Sequence, residues 1–162
     1  MGIDISIAVN NSDQVYSDEY YLDENDYMTK HNLSRTFGDF ISRQDAISHE
    51  PELEQIGRIT NVDILPMYEM KNDLEDEQES NIDKVLFMIN KLIEETSNIQ
   101  NLPGLLIDTD FDSLPNDEYF ANINTENEEF LTDNLKRDLK NFKSFLEYAK
   151  NKGTKTVWFE FE

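Results

Sequence analysis

A chain of 162 residues is sized for one domain, and its formal charge of −21 (35 carboxylates against 14 Lys and Arg) argues against direct contact with nucleic-acid phosphates. The absence of cysteine excludes disulfides, thiolate metal sites and cysteine catalysis, and fits a reducing, cytoplasmic setting. Ten Phe, seven Tyr and one Trp supply aromatic material that disordered chains lack, while no apolar run approaches the roughly 20 residues that span a bilayer.

The N-terminal stretch MGIDISIAVN has no basic leader region and carries Asp4, so it does not read as a signal peptide. Gly2 and Ser6 match the short myristoylation pattern. The stronger signal is alternation: Ile3, Ile5, Ile7 and Val9 against Asp4, Ser6, Ala8 and Asn10, which predicts a strand with one buried face. Leu33, Phe37, Phe40 and Ile41 follow helical spacing. Pro51 followed by Glu52 to Ile59 predicts a short helix with proline at its start. VDILPMYEM (62–70) predicts a middle strand broken or edged by Pro66, and NDLEDEQES (72–80) an exposed acidic linker.

Ile82, Val85, Leu86, Ile89, Leu92 and Ile93 form a helical stripe, with Ser80 as the expected N-cap. LPGLLIDTDFDSLP (102–115) is an apolar run between prolines, either strand or loop. The last helix carries Leu135, Leu139, Phe142, Leu146 and Ala149, with Asp133 as its expected cap and Gly153 as its stop. In the closing TKTVWFEF, Val157, Phe159 and Phe161 share one face of a second terminal strand. The expected architecture is a single α+β domain over residues 1–162. Its small sheet contains the N- and C-terminal strands as neighbours and packs with about four helices.

Charge is unevenly spread. Residues 1–132 hold 30 carboxylates and 7 basic side chains, whereas residues 133–162 hold 5 and 7. Lys136, Lys140, Lys143 and Lys150 fall on one arc of the last helix, joined by Glu147. The arc reads either as a solvated border of the apolar stripe or as a patch that docks on acidic segments of the same chain.

Motifs for catalysis are scarce: no GxGxxG, no phosphate-binding P-loop and no GxSxG elbow occurs. HEPEL (49–53) resembles the start of a zincin helix, but no second His follows His49, and His31 also lacks spaced co-ligands. Glu69 and Lys71 form an ExK that resembles the tail of a metal-nuclease signature without its upstream Asp. In LLIDTDFDSL (105–114), Asp108, Asp110 and Asp112 form a tentative site for a divalent cation such as Mg²⁺ or Ca²⁺. This stretch resembles the DxD element of haloacid-dehalogenase phosphatases, with Phe111 and Asp112 where that family has Gly and Thr. It also resembles an EF-hand loop, with Ser113 at the Gly position and Tyr119 at the bidentate Glu position. No other cofactor is expected.

Two acid-aromatic tracts point to recognition. YSDEYYLDENDY (16–27) sets Tyr16, Tyr20, Tyr21 and Tyr27 among Asp18, Glu19, Asp23 and Glu24, and DEYF (117–120) places Tyr119 and Phe120 beside Asp117 and Glu118. Tyrosines are common interface anchors, and carboxylates steer basic partners. In size, acidity and lack of cysteine the chain resembles immunity proteins of bacterial toxin systems and phage-encoded inhibitors of host defence. That resemblance implies a non-enzymatic protein that inhibits or regulates a basic protein partner, which itself can be nucleic-acid-binding. The alternatives are a nucleic-acid mimic, which needs a regular carboxylate array, and a metal-dependent enzyme centred on Asp108, Asp110 and Asp112.

Overall fold

Alternation at the N-terminus becomes strand β1 (Ile5–Val9), in which Ile5, Ile7 and Val9 are buried and Ser6 is exposed. The computed structural model describes residues 4–17, 20, 31–42, 50–71, 80–107, 119–121 and 134–161. β1 pairs antiparallel with β3 (Thr156–Phe161), in a register running from Ile5 opposite Phe161 to Val9 opposite Val157. The two-residue β2 (Ser80–Asn81) pairs antiparallel on the other side, so the order is β1-β3-β2. The expected pairing of the terminal strands therefore holds, and the C-terminal strand is central. Beyond β2 the same edge is extended where the Phe159 N–H donates to the Met70 carbonyl at 2.6 Å. Val157 and Phe159 are buried, but Phe161 at the sheet's end is partly exposed.

Two asparagines lock the ends of this sheet. Asn10 Oδ1 accepts from the Lys155 and Thr156 amides, at 2.8 and 3.0 Å. Asn11 donates to the Lys152 carbonyl and accepts from the Thr154 hydroxyl. The turn they hold contains Gly153 at φ +94°, a left-handed conformation that suits glycine and ends the preceding helix, as expected.

Among the described residues the helices are α1 (Ser12–Val15), α2 (Arg35–Ser42), α3 (Glu52–Thr60), α4 (Leu65–Glu69), α5 (Ile82–Ser97), α6 (Leu102–Leu105) and α7 (Leu135–Asn151). Four of these are long: α2, α3, α5 and α7, and α5 and α7 pack against each other. The architecture is α+β in one body. Its centre is aromatic: Phe37, Phe142 and Phe159 meet edge to face at 5.7–6.2 Å, and Phe40 packs on Tyr119 and Phe120. All five stripe residues of α7 are buried.

Several local expectations are corrected. Residues 65–69 of the expected middle strand are helical. Pro66 sits in the first turn, where no amide donor is needed, and burial of Met67 and Met70, three residues apart, outweighs strand propensity. By contrast, α3 starts at Glu52 directly after Pro51, as expected, with Pro51 as its N-cap. The cap of α5 is Asn81, whose Oδ1 accepts from the Asp83 and Lys84 amides. Ser80, expected both as that cap and as the end of an exposed linker, is a buried strand residue instead, and residues 72–79 lie outside the described residues. Asn134 caps α7 through the Lys136 amide, while Asp133 lies outside the described residues. Of the 102–115 run, Leu102–Leu105 forms a short helix capped by Asn101, and residues 108–115 are outside the described set.

One buried carboxylate ties these parts together. Asp138, on the inner face of α7, accepts from the Ser34 amide at 2.9 Å, the Ser34 hydroxyl at 2.7 Å and the Tyr119 hydroxyl at 2.8 Å. The Ser34 hydroxyl oxygen in turn accepts from the Phe37 amide and so caps α2. Gln55 plays a comparable part elsewhere. Its amide accepts from the Ile107 N–H and donates to the Ile107 and Glu50 carbonyls, pinning the chain after α6 onto α3. Beside it Arg58 reaches Glu50 at 2.5 Å, and this hydrogen bond holds the Glu50 carboxyl below the usual range. A lowered carboxyl stabilises the fold above its unfolded pKa and loses that contribution as pH falls through the folded value. Because the pair is fully exposed, solvent screens it strongly.

Asp138→Ala leaves the Ser34 and Tyr119 donors without this acceptor and is expected to cost about 2–4 kcal/mol, while Asp138→Asn costs less because one oxygen is retained. Leu139→Ala, one residue on and fully apolar, is expected to cost about 2–5 kcal/mol. Urea unfolding of the three variants checks both values. An unchanged midpoint for Asp138→Ala would mean that the three hydrogen bonds add no net stability.

Candidate functional site

A groove forms where the chain reverses between α3 and α4. Asn61 ends α3 in the left-handed conformation at φ 56°, and the Val62 amide returns to the Gly57 carbonyl at 3.0 Å. The packing at Gly57 is tight, since an added Cβ would lie 3.1 Å from the Ile64 side chain and 3.3 Å from the Val62 carbonyl oxygen. The reversal lays α4 alongside α5 and leaves an open groove of about 880 Å³ between them.

The buried Met88 is among the groove's lining residues. Two large apolar side chains on its walls face solvent: Phe87 on α5 is 68% exposed and Leu65 on α4 is 54% exposed. Val62 and Pro66 continue the apolar lining. Carboxylates line the same groove: Asp63 and Glu69 from the α4 side, Asp83 and Glu95 from α5. Lys84 and Lys91 also line it, the Lys91 ammonium lying 5.9 Å from the centre of the Phe87 ring. Asp83 is engaged at 2.7 Å by Lys150 of α7. The basic arc of α7 thus meets an acidic side chain of another element through Lys150, which bridges to α5, while Lys143 approaches Glu147 of the same helix at 3.9 Å.

The lining thus mixes exposed apolar side chains with carboxylates and two lysines, on walls built from helices. Among the described residues, no group of three His, Asp or Glu side chains is arranged to hold a metal ion. The tentative site at Asp108, Asp110 and Asp112 lies outside the described residues.

The acid-aromatic tracts are described only in part. Asp18, Glu19, Tyr21, Asp23, Glu24, Tyr27, Asp117 and Glu118 lie outside the described residues. The three remaining tyrosines turn inward. Tyr16 is half-buried, stacks on Phe145 at 5.9 Å and donates its hydroxyl to the Ile7 carbonyl. Tyr20 is buried, with its ring edge-on to Tyr16 and face-on to His31, whose Nδ1 lies 3.3 Å from the Tyr20 hydroxyl. Tyr119 is buried against Phe40 and bonded to Asp138. Tyr20 and Tyr119, expected among the partner-binding residues, are buried: burying each ring in the core gains more than leaving it wet, and each hydroxyl lies beside a polar partner. His31 is a half-buried member of this aromatic cluster.

The groove went unread in the sequence, although one signal was present. Phe87 falls outside the stripe of Ile82, Val85, Leu86, Ile89, Leu92 and Ile93, and a phenylalanine on the polar arc of a helix has no core to fill. No protein-family model, curated protein or solved structure gives a significant match to the chain.

Wall and interior residues are expected to separate in stability measurements. Phe87→Ala removes an exposed ring and should change unfolding free energy by no more than about 0.5 kcal/mol, whereas Met88→Ala should cost about 2–5 kcal/mol. Denaturant unfolding of both variants checks the contrast. A large loss for Phe87→Ala would make that ring part of the core.

Proposed function

We propose that this protein is a non-enzymatic acidic binding protein that captures a basic protein partner and thereby inhibits or regulates it, in the manner of immunity proteins and phage anti-defence inhibitors. The observation that carries this reading is the carboxylate-lined groove with Phe87 and Leu65 exposed, on a chain of net charge −21. Large exposed apolar side chains with polar neighbours mark interaction sites, and a strong single-sign charge raises the encounter rate with the opposite sign. The sequence of events is long-range attraction by the acidic body, then seating of partner side chains against the apolar walls, then occlusion of the surface the partner works with.

Affinity capture from lysate at low salt, with mass spectrometry of the retained proteins, identifies the partner. Its association should slow by roughly tenfold or more between low and high ionic strength, because screening shortens the Debye length to about 8 Å at 0.15 M salt. Combined Asp63→Asn, Glu69→Gln and Glu95→Gln substitutions should slow association with little effect on dissociation. Asp108→Asn with Asp110→Asn should leave capture intact. Stopped-flow rates across a salt series decide the matter: a salt-independent association rate, unmoved by the three groove substitutions, would remove charge from the recognition.

A further inference from the structure

We infer that the groove between α4 and α5 receives a cationic amphipathic helix of the partner; this rests on the basic-partner reading and specifies its chemistry. Three features of the site select that occupant. The first is the hydrogen-bonding state of the walls. Both are helices: most of the 16-residue α5 backbone is paired within the helix, and in the short α4 the Leu65 amide donates to Asp63 Oδ1 and the Met67 amide to the Ile64 carbonyl, so an extended peptide would find no sheet edge to pair with. An incoming segment must satisfy its own backbone, and a helix does so.

The second feature is periodicity. The α5 residues that line the groove are Asp83, Lys84, Phe87, Met88, Lys91 and Glu95, of which Lys84 to Glu95 form a ridge at spacings of three and four. It extends about 16 Å at 1.5 Å per residue, the length of about three helical turns. Such a ridge packs into the complementary rows of another helix. The third is charge. Four carboxylates line the groove against two lysines; Asp83 is already paired with Lys150 and the cation beside Phe87 is Lys91, so Asp63, Glu69 and Glu95 are the carboxylates that face a partner's charge. An apolar stripe would seat between Phe87 and Leu65, and flanking Lys or Arg would reach Asp63, Glu69 and Glu95. A second copy of this chain, itself at −21, is repelled from the same site.

The test is a display selection of random peptides of about 16 residues against the full chain, followed by fluorescence anisotropy of the enriched peptides. Binding is then compared with Phe87→Ala, Leu65→Ala and the double Glu69→Gln, Glu95→Gln variant, each checked by thermal melting to confirm that it remains folded. The expected result is enrichment of basic peptides with apolar residues at i, i+3 or i+4, and i+7. Their affinity should fall about tenfold or more on either apolar substitution, and severalfold at low salt on the carboxylate variant. Basic peptides without helical periodicity, or ones that bind Phe87→Ala as tightly as the parent, would overturn the groove assignment while leaving the basic-partner reading intact. Enrichment of neutral or acidic peptides, or no enrichment at all, would overturn both. A dimer in sedimentation that is lost on Phe87→Asp would also overturn the assignment, since a second copy would then fill the groove.

Discussion

The fold depends on a carboxylate that water does not reach. Asp138 lies on the apolar face of α7, where a charge is expensive unless donors surround it. Those donors come from two distant parts of the chain, the backbone and hydroxyl of Ser34 and the hydroxyl of Tyr119. The bonds that make Asp138 tolerable thus fix the start of α2 and the approach to α7 in one arrangement. Greasy contacts such as those of Phe37, Phe40 and Phe142 tolerate small slips. A carboxylate accepting from three oriented donors does not, because hydrogen bonds weaken steeply off axis. Satisfied polar groups of this kind specify position more than they add stability.

The sheet imposes a second constraint. Its central strand is the last element of the chain, flanked by the first strand on one side and by Ser80–Asn81 on the other. Most of its pairing therefore joins residues about 150 positions apart, such as Ile7 with Phe159. Closing a loop of that length is entropically costly, so the sheet gains stability only once helices have brought the two ends together. Asn10 and Asn11 reinforce the junction by binding backbone groups of residues 152–156, where the chain leaves α7 and enters β3. The N-terminal strand is thereby fastened to the end of the longest helix as well as to its strand partner.

A chain with 35 carboxylates must also limit repulsion within a compact body. Local pairing offsets a little of it: Asp4 meets Arg35, Glu50 meets Arg58, and Asp83 meets Lys150. Each pair is exposed and individually weak. The basic character of α7 is thus used partly within the molecule, where Lys150 joins the two helices that form the main packed pair. The groove departs from the general pattern. There an exposed phenylalanine and leucine share a surface with carboxylates, an arrangement that serves no packing need of the fold and on which the proposed capture of a cationic, apolar-striped partner rests.

Sequence alone determined the elements whose periodicity is strong. Alternation marked β1 and β3, and apolar spacing marked α2, α5 and α7, because one buried face must recur at the element's own period. It could not determine whether residues 65–69 extend or coil, since a short apolar run with proline fits either, and burial of Met67 and Met70 chose the helix. Nor could it choose between neighbouring polar residues for the caps of α5 and α7; backbone geometry selected Asn81 and Asn134. The inward turn of Tyr20 and Tyr119 was invisible for a related reason: a tyrosine among carboxylates has one wet and one dry option, and the rings of Tyr16, His31 and Tyr148 around Tyr20 and the Asp138 carboxylate beside Tyr119 decided it. Asp138 itself sat in plain view between Leu135 and Phe142, yet its role exists only because Ser34 and Tyr119 arrive from elsewhere. The groove belongs to tertiary structure in the same way. Phe87 is one unexplained side chain on a helix until the reversal at Asn61 sets Leu65 opposite it, and a site made of two elements has no signature in the sequence of either.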